Sequence, residues 1–284
     1  MTIFGAPFKV PRSLNITLRY SSIKKKRQLI QKSLLKAHII ECMKKKEYLF
    51  GKEYFGPIAH RGLHNDLYTE NGLKAFDNAI RNGFSFELDI HLTKDGKLVV
   101  CHDDDLKRTT GKDGIIEELT LEEIKTDYRL FDGGEVPTLQ EVLDLNQERK
   151  LIVVELKVHD SKNYKALGKE SLKFLNEHIK DKKKIVVISF DPRALIHFRH
   201  SGFATALLVC KKYENMFMWK FLFDSIDVED VLLKEPKVMK YQKKHIVNVW
   251  TIEKAENLKE NLKYCDAQTF QLIDPQEVKE IFGI

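Results

Sequence analysis

The sequence predicts an α/β fold, a (β/α)₈ or TIM barrel, on three observations. From Pro57 onward, short apolar segments of strand length alternate with segments of helical pattern, which is typical of parallel β/α architecture. Eight apolar segments fit this alternation, and eight is the number of strands that closes such a barrel. Histidines and charged residues stand at the ends of several segments, and the active sites of these barrels lie at the carboxyl ends of the strands.

The composition suits one large domain, or a domain with an appendage. Of the 284 residues, 43% are hydrophobic and 32% are charged, which argues against disorder and against a disulfide-rich small fold. Four scattered cysteines without CxxC spacing argue against a zinc cluster. No segment approaches the ~18 apolar residues of a membrane span, and basic residues interrupt the first apolar stretches, so we expect no signal peptide and a cytoplasmic location.

Residues 1–52 are predicted to be a basic extension, and residues 53–284 to be the barrel. The extension holds 13 Lys and Arg residues but only two acidic ones, whereas the barrel carries a small acidic surplus. Residues 27–50 predict a helix with a broad apolar face and lysines elsewhere, which we expect to pack on the barrel. The alternative is a peripheral contact with an anionic membrane surface; no motif supports nucleic-acid binding.

The barrel strands are predicted at short apolar segments separated by helical patterns or loops. In chain order they are residues 57–60, 84–90, 151–156, 185–190, 204–209, 225–228, 245–250 and 264–270. After the first strand, residues 71–83 predict a helix that ends at Gly83, a residue suited to a helix C-cap.

A ninth apolar segment, residues 97–102, interrupts the alternation. It follows the second strand after only six residues, too few for a parallel crossover, and the intervening Asp-Gly pair is a hairpin signal. We therefore predict an antiparallel return strand that brings His102 back over the end of the second strand. Residues 103–137 then form a long polar insertion at the carboxyl face of the barrel, a usual place for functional loops.

Three carboxylates are predicted to meet at this face. Glu87 and Asp89 stand two apart on the second strand, so their side chains share a face, and Glu155 lies near the end of the third barrel strand. Carboxylates in apolar strands are costly unless their charge is compensated, so three together indicate a cation. All-oxygen ligands favour one divalent Mg²⁺ or Ca²⁺ over zinc.

Histidines and cationic side chains end neighbouring segments. His60 and Arg61 stand at the end of the first strand, His102 ends the return strand, and Lys157 ends the third barrel strand. Singly, each residue has an ordinary structural explanation, such as a hydrogen-bonded histidine or a surface ion pair. Their predicted convergence on one end of the barrel favours a functional site.

The segment IAHRGLHNDLYTENGLKAFDNAIRNGFSFELDIHLTKDGKLVVCHDDDLKRTTGKDG resembles the signature of the glycerophosphodiester phosphodiesterase family. That signature has HRG, then EN with AF, then ExD, then TxDGxxVxxHDxxLxRTTxxxG. Similar segments follow in order, namely VPTLQEVL, VVELK, ISFDP and VNVWTI, so the resemblance covers about residues 57–284. It implies a TIM barrel that hydrolyses glycerophosphodiesters to sn-glycerol 3-phosphate and an alcohol.

The resemblance also implies roles for single residues. His60 and His102 are implied as general acid and base, and Glu87, Asp89 and Glu155 as ligands of the divalent cation.

Four further residues are implied to contact the substrate or support the site. Arg61 and Lys157 would bind the phosphate, Arg61 by its planar fork and Lys157 as a point charge. Glu70, from the EN motif, would support the site, and Trp250 would lie near the substrate.

The chain departs from the family pattern at two places. TENG (69–72) stands where PENT or PENS is usual, and we expect Gly72 to loosen the start of the following helix. Near the end of the chain, YCDAQTFQLIDP lacks the Thr-Asp pair that is common in the last strand of the family.

Two other functions remain open at this stage. One is hydrolysis of lysophospholipids at a membrane surface, which a large apolar cleft under residues 103–137 would favour over glycerophosphodiesters. The other is a barrel without catalysis that binds phosphate or lipid.

Overall fold

Within residues 49–284, the part of the chain that the computed structural model describes, nine strands form one sheet. They are β1 (Pro57–Ala59), β2 (Ser85–Leu92), β3 (Leu98–Val100), β4 (Ile152–Leu156), β5 (Ile185–Ser189), β6 (Ala204–Val209), β7 (Ser225–Glu229), β8 (Ile246–Ile252) and β9 (Ala267–Phe270). All except β3 run parallel, and β1 pairs with both β9 and β2, which closes the barrel. The predicted (β/α)₈ fold is therefore confirmed.

β3 is the antiparallel return strand that the short Asp-Gly turn predicts. It pairs with the end of β2, with Val100 opposite Ile90, and Gly96 in the turn has the positive φ of 75° that a tight hairpin requires. The backbone N–H of Cys101 donates to the carbonyl of Asp89 at 3.1 Å. This bond holds the next residue, His102, beside the carboxyl end of β2.

Helices cover the outside of the barrel. They are α1 (Leu73–Asn82), α2 (Lys107–Thr110), α3 (Leu121–Asp127), α4 (Leu139–Asn146), α5 (Tyr164–His178), α6 (Pro192–Leu195), α7 (Pro236–Gln242), α8 (Ala255–Asn261) and α9 (Pro275–Phe282). α1 is the helix predicted over residues 71–83, and Gly83 ends it in the left-handed conformation with φ 89°. Gly72 immediately precedes α1, where a Cβ would lie 2.9 Å from the carbonyl oxygen of Thr69, so the backbone here leaves no room for a side chain.

The strands are buried on both faces, so the core has two layers. One layer lies between strands and helices, and the other fills the barrel. Aromatic residues just before β1 belong to the inner layer, because Phe50, Tyr54 and Phe55 are all buried and the rings of Phe50 and Tyr54 lie 4.8 Å apart. The Tyr54 hydroxyl donates to Asp227 on β7 at 3.0 Å, which connects these aromatic residues to the barrel interior.

The insertion after β3 folds over the carboxyl face with a small core of its own. Leu106, Ile116, Ile124 and Tyr128 pack together there, and the two helices α2 and α3 frame them. Residues 27–48 of the predicted N-terminal helix lie outside the described part of the chain. From residue 49 to the end, no helix is both long enough and apolar enough to cross a membrane.

Candidate active site

The carboxyl ends of β1, β2 and β4 bring the predicted site residues together. A cavity of about 250 Å³ opens there, and the predicted residues that line it are His60, Arg61, Glu87, His102, Glu155 and Trp250. The other three predicted residues each contact a residue that lines the cavity. Asp89 and Glu70 pair with Arg61, and Lys157 pairs with Glu155.

Strand register explains why the carboxylates meet. Glu87 and Asp89 stand two residues apart on β2, so their side chains point to the same face. Asp89 lies directly opposite Glu155 in the parallel β2–β4 pair. Each carboxylate offers one oxygen, and these oxygens lie within 4.8 Å of one another. All three side chains are at least nine-tenths buried, so their charges are poorly screened by solvent.

This crowding separates the pKa values of the carboxylates. Burial raises the pKa of Glu87 well above its usual range, and the charges of Asp89 and Glu155 raise it further. Burial also raises the pKa of Glu155 to about 7, although Lys157 opposes the change. Asp89 is buried too, but the charges of Lys157, His102 and Arg61 outweigh that effect and lower its pKa. The site therefore has more buried acidic groups than its own cations neutralise.

The turn after β1 aims Arg61 at these carboxylates. Arg61 and Gly62 both have positive φ, 53° and 78°, and at Gly62 a Cβ would lie 2.9 Å from the backbone of Ala75. The Arg61 amide donates to Glu87 at 2.9 Å, and its guanidinium donates to Glu70 at 2.8 Å. The glycine of the HRG motif thus allows the chain to turn so that Arg61 faces the cavity.

Lys157 is the second cation at the cavity. Its Nζ lies 2.9 Å from Glu155 and 3.3 Å from Asp89. Burial favours the neutral amine, but the charges of Glu155 and Asp89 outweigh that effect and raise the pKa of Lys157. Lys157 is therefore charged at neutral pH.

Each histidine is held at Nδ1 by an acceptor. His60 Nδ1 lies 2.6 Å from Gln271 Oε1, and Gln271 Nε2 donates to Glu253 at 2.7 Å, which fixes the orientation of the Gln271 amide. His102 Nδ1 lies 2.7 Å from Asp103 Oδ1. Both Nδ1 atoms therefore carry hydrogen, which leaves each Nε2 as the atom that can accept or release a proton.

Burial shifts both histidines toward the neutral form. It lowers the pKa of His60 to about 4, with a further contribution from the charge of Arg61. Burial also lowers the pKa of His102, with Asp89 opposing the shift. Near neutral pH, both Nε2 atoms are therefore free acceptors at the edge of the cavity.

Several polar residues that sequence reasoning missed support the site. Asn71 donates to Asp89 Oδ2 at 2.8 Å and accepts from the Asp89 backbone amide at 3.3 Å. Arg108 makes two bonds of 2.8 Å to Glu70. Burial favours protonation of Glu70, but its bonds to Arg108 and the charge of Arg61 lower its pKa to about 2. In the sequence, the only indication that Asn71 supports the site is its place in the EN motif, and for Arg108 it is the RTT motif.

The cavity also has an apolar wall and a polar floor. Phe190 and Trp250 form the wall with ring centroids 5.6 Å apart, and Trp250 Nε1 is buried without a hydrogen-bond acceptor among residues 49–284. At the floor, Asn248 donates to Asp227 at 2.9 Å and to Thr269 at 3.0 Å. These groups are positioned to bind a small molecule with both polar and apolar parts.

A larger groove of about 560 Å³ adjoins the cavity and shares Glu155 and Phe190 with it. Its apolar side is formed by Tyr213, Met216 and Trp219, from the 3₁₀-helical segment Lys211–Leu222. Of the insertion, only Asp104 borders it. The apolar groove therefore lies beside the loop after β6, not under residues 103–137, where the lysophospholipid alternative placed it.

Comparison with known proteins points to one family. The sequence profile of the Glycerophosphoryl diester phosphodiesterase family matches residues 60–269. A glycerophosphodiester phosphodiesterase of Bacillus altitudinis is 35% identical over 149 residues, which is 50% of this chain and 60% of that protein. A relative from Caldanaerobacter subterraneus is matched over 59% of its length. This chain thus spans less than two thirds of these relatives.

Solved structures agree with this match over a longer range. A glycerophosphodiester phosphodiesterase from Parabacteroides distasonis has a TM-score of 0.67 and 28% identity, with 80% of this chain and 96% of that one covered. An Oleispira antarctica phosphodiesterase, solved in complex with its product sn-glycerol-3-phosphate, shares the fold at 23% identity with a TM-score of 0.70, covering 81% and 97% of the two chains.

Proposed function

This chain belongs to the glycerophosphoryl diester phosphodiesterase family, and we propose that it hydrolyses glycerophosphodiesters to sn-glycerol 3-phosphate and an alcohol. One observation carries the proposal: His60, His102, Glu87 and Glu155 line one cavity of about 250 Å³, and the buried Asp89 clusters with the two glutamates. That combination would provide proton transfer and, through a divalent cation, phosphate binding on the same side of the barrel.

Glu87, Asp89 and Glu155 would hold one divalent cation. The fit rests on their burial, on the raised pKa values of Glu87 and Glu155, and on the three oxygens that lie within 4.8 Å of one another. The all-oxygen donor set suits Mg²⁺ or Ca²⁺. Bound there, such an ion would act as a Lewis acid on the phosphate oxygens.

The remaining charged residues would bind the phosphate and move protons. Arg61, held by Glu70, presents its guanidinium to the cavity, and Lys157 adds a point charge from β4. These cations stabilise negative charge that develops on the phosphate oxygens. His60 and His102 would accept and release protons through Nε2, at the attacking and leaving oxygens of the diester.

The glycerol part of the substrate would lie in the mixed polar and apolar end of the cavity. Trp250 Nε1 is a buried donor without an acceptor in the described chain, and Asn248 Oδ1 is a buried acceptor without a donor there. Glycerol hydroxyls would satisfy both atoms. The Oleispira antarctica relative, which holds sn-glycerol-3-phosphate as its product, motivates the same choice of substrate.

The proposal is tested by the release of glycerol 3-phosphate from glycerophosphocholine. We expect activity to be lost in EDTA and restored by Mg²⁺ or Ca²⁺, and His60→Ala and His102→Ala each to abolish turnover while the fold is retained. Near-normal activity in either variant would remove that histidine from the mechanism. Inactivity with every divalent cation would contradict the proposed substrate and leave lysophospholipids, or a barrel that only binds, as the explanation.

A second candidate function is hydrolysis of lysophospholipids, and the groove beside the cavity favours it. Tyr213, Met216 and Trp219 line a surface long enough for part of an acyl chain, while the adjacent Met218 and Phe221 are 68% and 70% exposed. If the acyl chain binds there, Trp219→Ser should raise KM for lysophosphatidylcholine and leave KM for glycerophosphocholine unchanged. An equal effect on both substrates would contradict acyl binding in the groove.

A further inference from the structure

A second cluster of metal-binding side chains lies where the insertion meets the barrel. His91 comes from β2, Asp104 and Glu117 come from the insertion, and His159 comes from the loop after β4. Three of them, His91, Asp104 and Glu117, offer ligand atoms within 4.8 Å of one another. None of the four belongs to the carboxylate set of the proposed active site.

The four side chains form a closed ring of short distances. His91 Nδ1 lies 2.8 Å from Glu117 Oε1 and 3.9 Å from Asp104 Oδ1. His159 Nδ1 lies 2.8 Å from Asp104 Oδ2 and 3.8 Å from Glu117 Oε2. Ligand bonds of about 2.0–2.1 Å in a tetrahedral zinc site imply ligand-to-ligand distances of about 3.3–3.4 Å. The four distances scatter around that value, with Oδ1 and Oε1 facing His91 and Oδ2 and Oε2 facing His159. Each carboxylate would therefore rotate to present one oxygen to a shared ion.

The surroundings of His91 suit a metal ligand. His91 is fully buried, its Nδ1 lies 2.8 Å from Glu117 Oε1, and its Nε2 lies 3.4 Å from the carbonyl oxygen of His102. With a metal ion bound at Nδ1, Nε2 would carry the hydrogen and donate it to that carbonyl. Metal-ligating histidines commonly donate their other ring N–H to a backbone carbonyl in this way.

Glu117 has one carboxylate oxygen without a hydrogen bond. Oε1 faces His91 Nδ1, whereas Oε2 is buried, has no hydrogen-bond partner among residues 49–284 and lies 3.8 Å from His159 Nδ1. A buried carboxylate oxygen without a partner is costly. An ion inside the ring would be close to both carboxylates and both imidazoles, and would compensate this charge.

We propose that His91, Asp104, Glu117 and His159 bind one Zn²⁺ ion that fastens the insertion to the barrel. Two imidazole nitrogens with two carboxylate oxygens form a donor set that suits Zn²⁺, unlike the all-oxygen set of the proposed active site. The ion would join β2, the insertion and the loop after β4. Through the bond from His91 Nε2 to His102 it would also fix the backbone of a proposed catalytic histidine.

The test is calorimetric titration of the metal-free full chain with Zn²⁺, in Mg²⁺ at a concentration that saturates the carboxylate site. We expect the wild type to bind one equivalent of Zn²⁺ and to melt at a higher temperature with it. His159→Gln should lower the affinity at least tenfold and abolish the rise in Tm. Asp160→Asn is the matched control, because it removes an exposed charge next to His159 without removing a ligand, and it should bind Zn²⁺ like the wild type.

Two results would overturn the proposal. One is a Mg²⁺-saturated wild type that binds no Zn²⁺, and the other is unchanged Zn²⁺ affinity in both His159→Gln and Glu117→Gln. Should Glu117→Gln fail to fold, His159→Gln still decides, since His159 is only partly buried in a surface loop. Tighter binding of Mn²⁺ than of Zn²⁺ in the same titration would refute the assignment of zinc. Metal binding is read without substrate, so its failure is separate from failure of the proposed hydrolysis.

Discussion

Asn71 holds Asp89 through two hydrogen bonds, and it adopts a left-handed backbone conformation with φ 56° to do so. Asn71→Ala removes both bonds, and we expect the apparent affinity for Mg²⁺ or Ca²⁺ to fall by about 10–100-fold, as when outer partners of metal ligands are lost. The measurement is activity titrated with metal. Asn78→Ala, which removes an asparagine bonded only to a backbone carbonyl outside the cavity and to Asn82, is the control.

The positive φ of Asn71 needs a second variant. Alanine in the left-handed conformation costs about 1–2 kcal/mol by itself, whereas glycine has no such cost. Asn71→Gly should therefore match Asn71→Ala in metal affinity although it differs in stability. Normal metal affinity in the glycine variant would show that the amide does not orient Asp89.

Asp227 makes stability depend on pH. Burial raises its pKa to about 6, although the hydrogen bonds from Asn248 and Tyr54 oppose this. Between about pH 4 and pH 6 the folded state then binds a proton that the unfolded chain has released. The free energy of unfolding should therefore fall as pH rises through this window, by at most about 1.4 kcal/mol per pH unit from this group.

Asp227→Asn isolates that contribution. The amide of the variant cannot titrate. Asn248 Oδ1 has no donor within the described chain, and after the Asn248 side-chain amide rotates by half a turn it can accept a hydrogen bond from the new amide. Urea unfolding at pH 4, 5, 6 and 7 should show a smaller decline in the variant than in the wild type. Parallel curves for the two proteins would mean that Asp227 is already ionised at pH 4.

At the level of elements, a glycine sets how closely α5 and α6 pack. Helix propensity alone predicts that Gly168→Ala stabilises α5 by about 1 kcal/mol. A Cβ at this position would lie 2.6 Å from the carbonyl oxygen of Ala194 and 2.7 Å from the ring of His197. Overpacking of this kind costs about 1–3 kcal/mol, so we expect net destabilisation.

Urea unfolding measures whether Gly168→Ala raises or lowers the free energy of unfolding. The control is Lys169→Ala, the next residue on the same helix, which is exposed and should change stability by less than about 0.5 kcal/mol. A Gly168→Ala protein as stable as the wild type would show that α6 moves away at little cost.

Strands were predictable from sequence, and irregular elements were less so. All nine predicted strands are present, with ends that move by up to three residues, because apolar runs and the Asp-Gly turn carry local signals. The 3₁₀ segment Lys211–Leu222 was not predicted, since its aromatic residues follow no helical or strand period. Phe50 was assigned to the extension although it is buried with Tyr54, because burial at the base of a barrel leaves no periodic pattern.

At the scale of the molecule, the carboxylates, histidines and Arg61 were predictable because each lies on or directly after a recognisable strand. Several residues that hold the site together were not, because their contacts join distant parts of the chain. Gln271 reaches His60 across 211 positions, and Arg108 reaches Glu70 across 38. His159 joins Asp104 across 55 positions, so no spacing in the sequence could have indicated the proposed zinc site.

The strongly basic N-terminal region offers the last prediction. Residues 1–52 hold a surplus of 11 positive charges, and we expect them to bind anionic vesicles, so removing residues 1–48 should weaken liposome binding and spare hydrolysis of glycerophosphocholine. The deletion should stop at residue 48, because Phe50 is 3% exposed and packs against Tyr54. An unchanged Tm after the deletion would favour membrane contact over packing of this region on the barrel. Phe50→Ala, by contrast, should cost about 3–5 kcal/mol. Undiminished liposome binding after the deletion would place membrane contact elsewhere, with the exposed Met218 and Phe221 as the next surface to substitute.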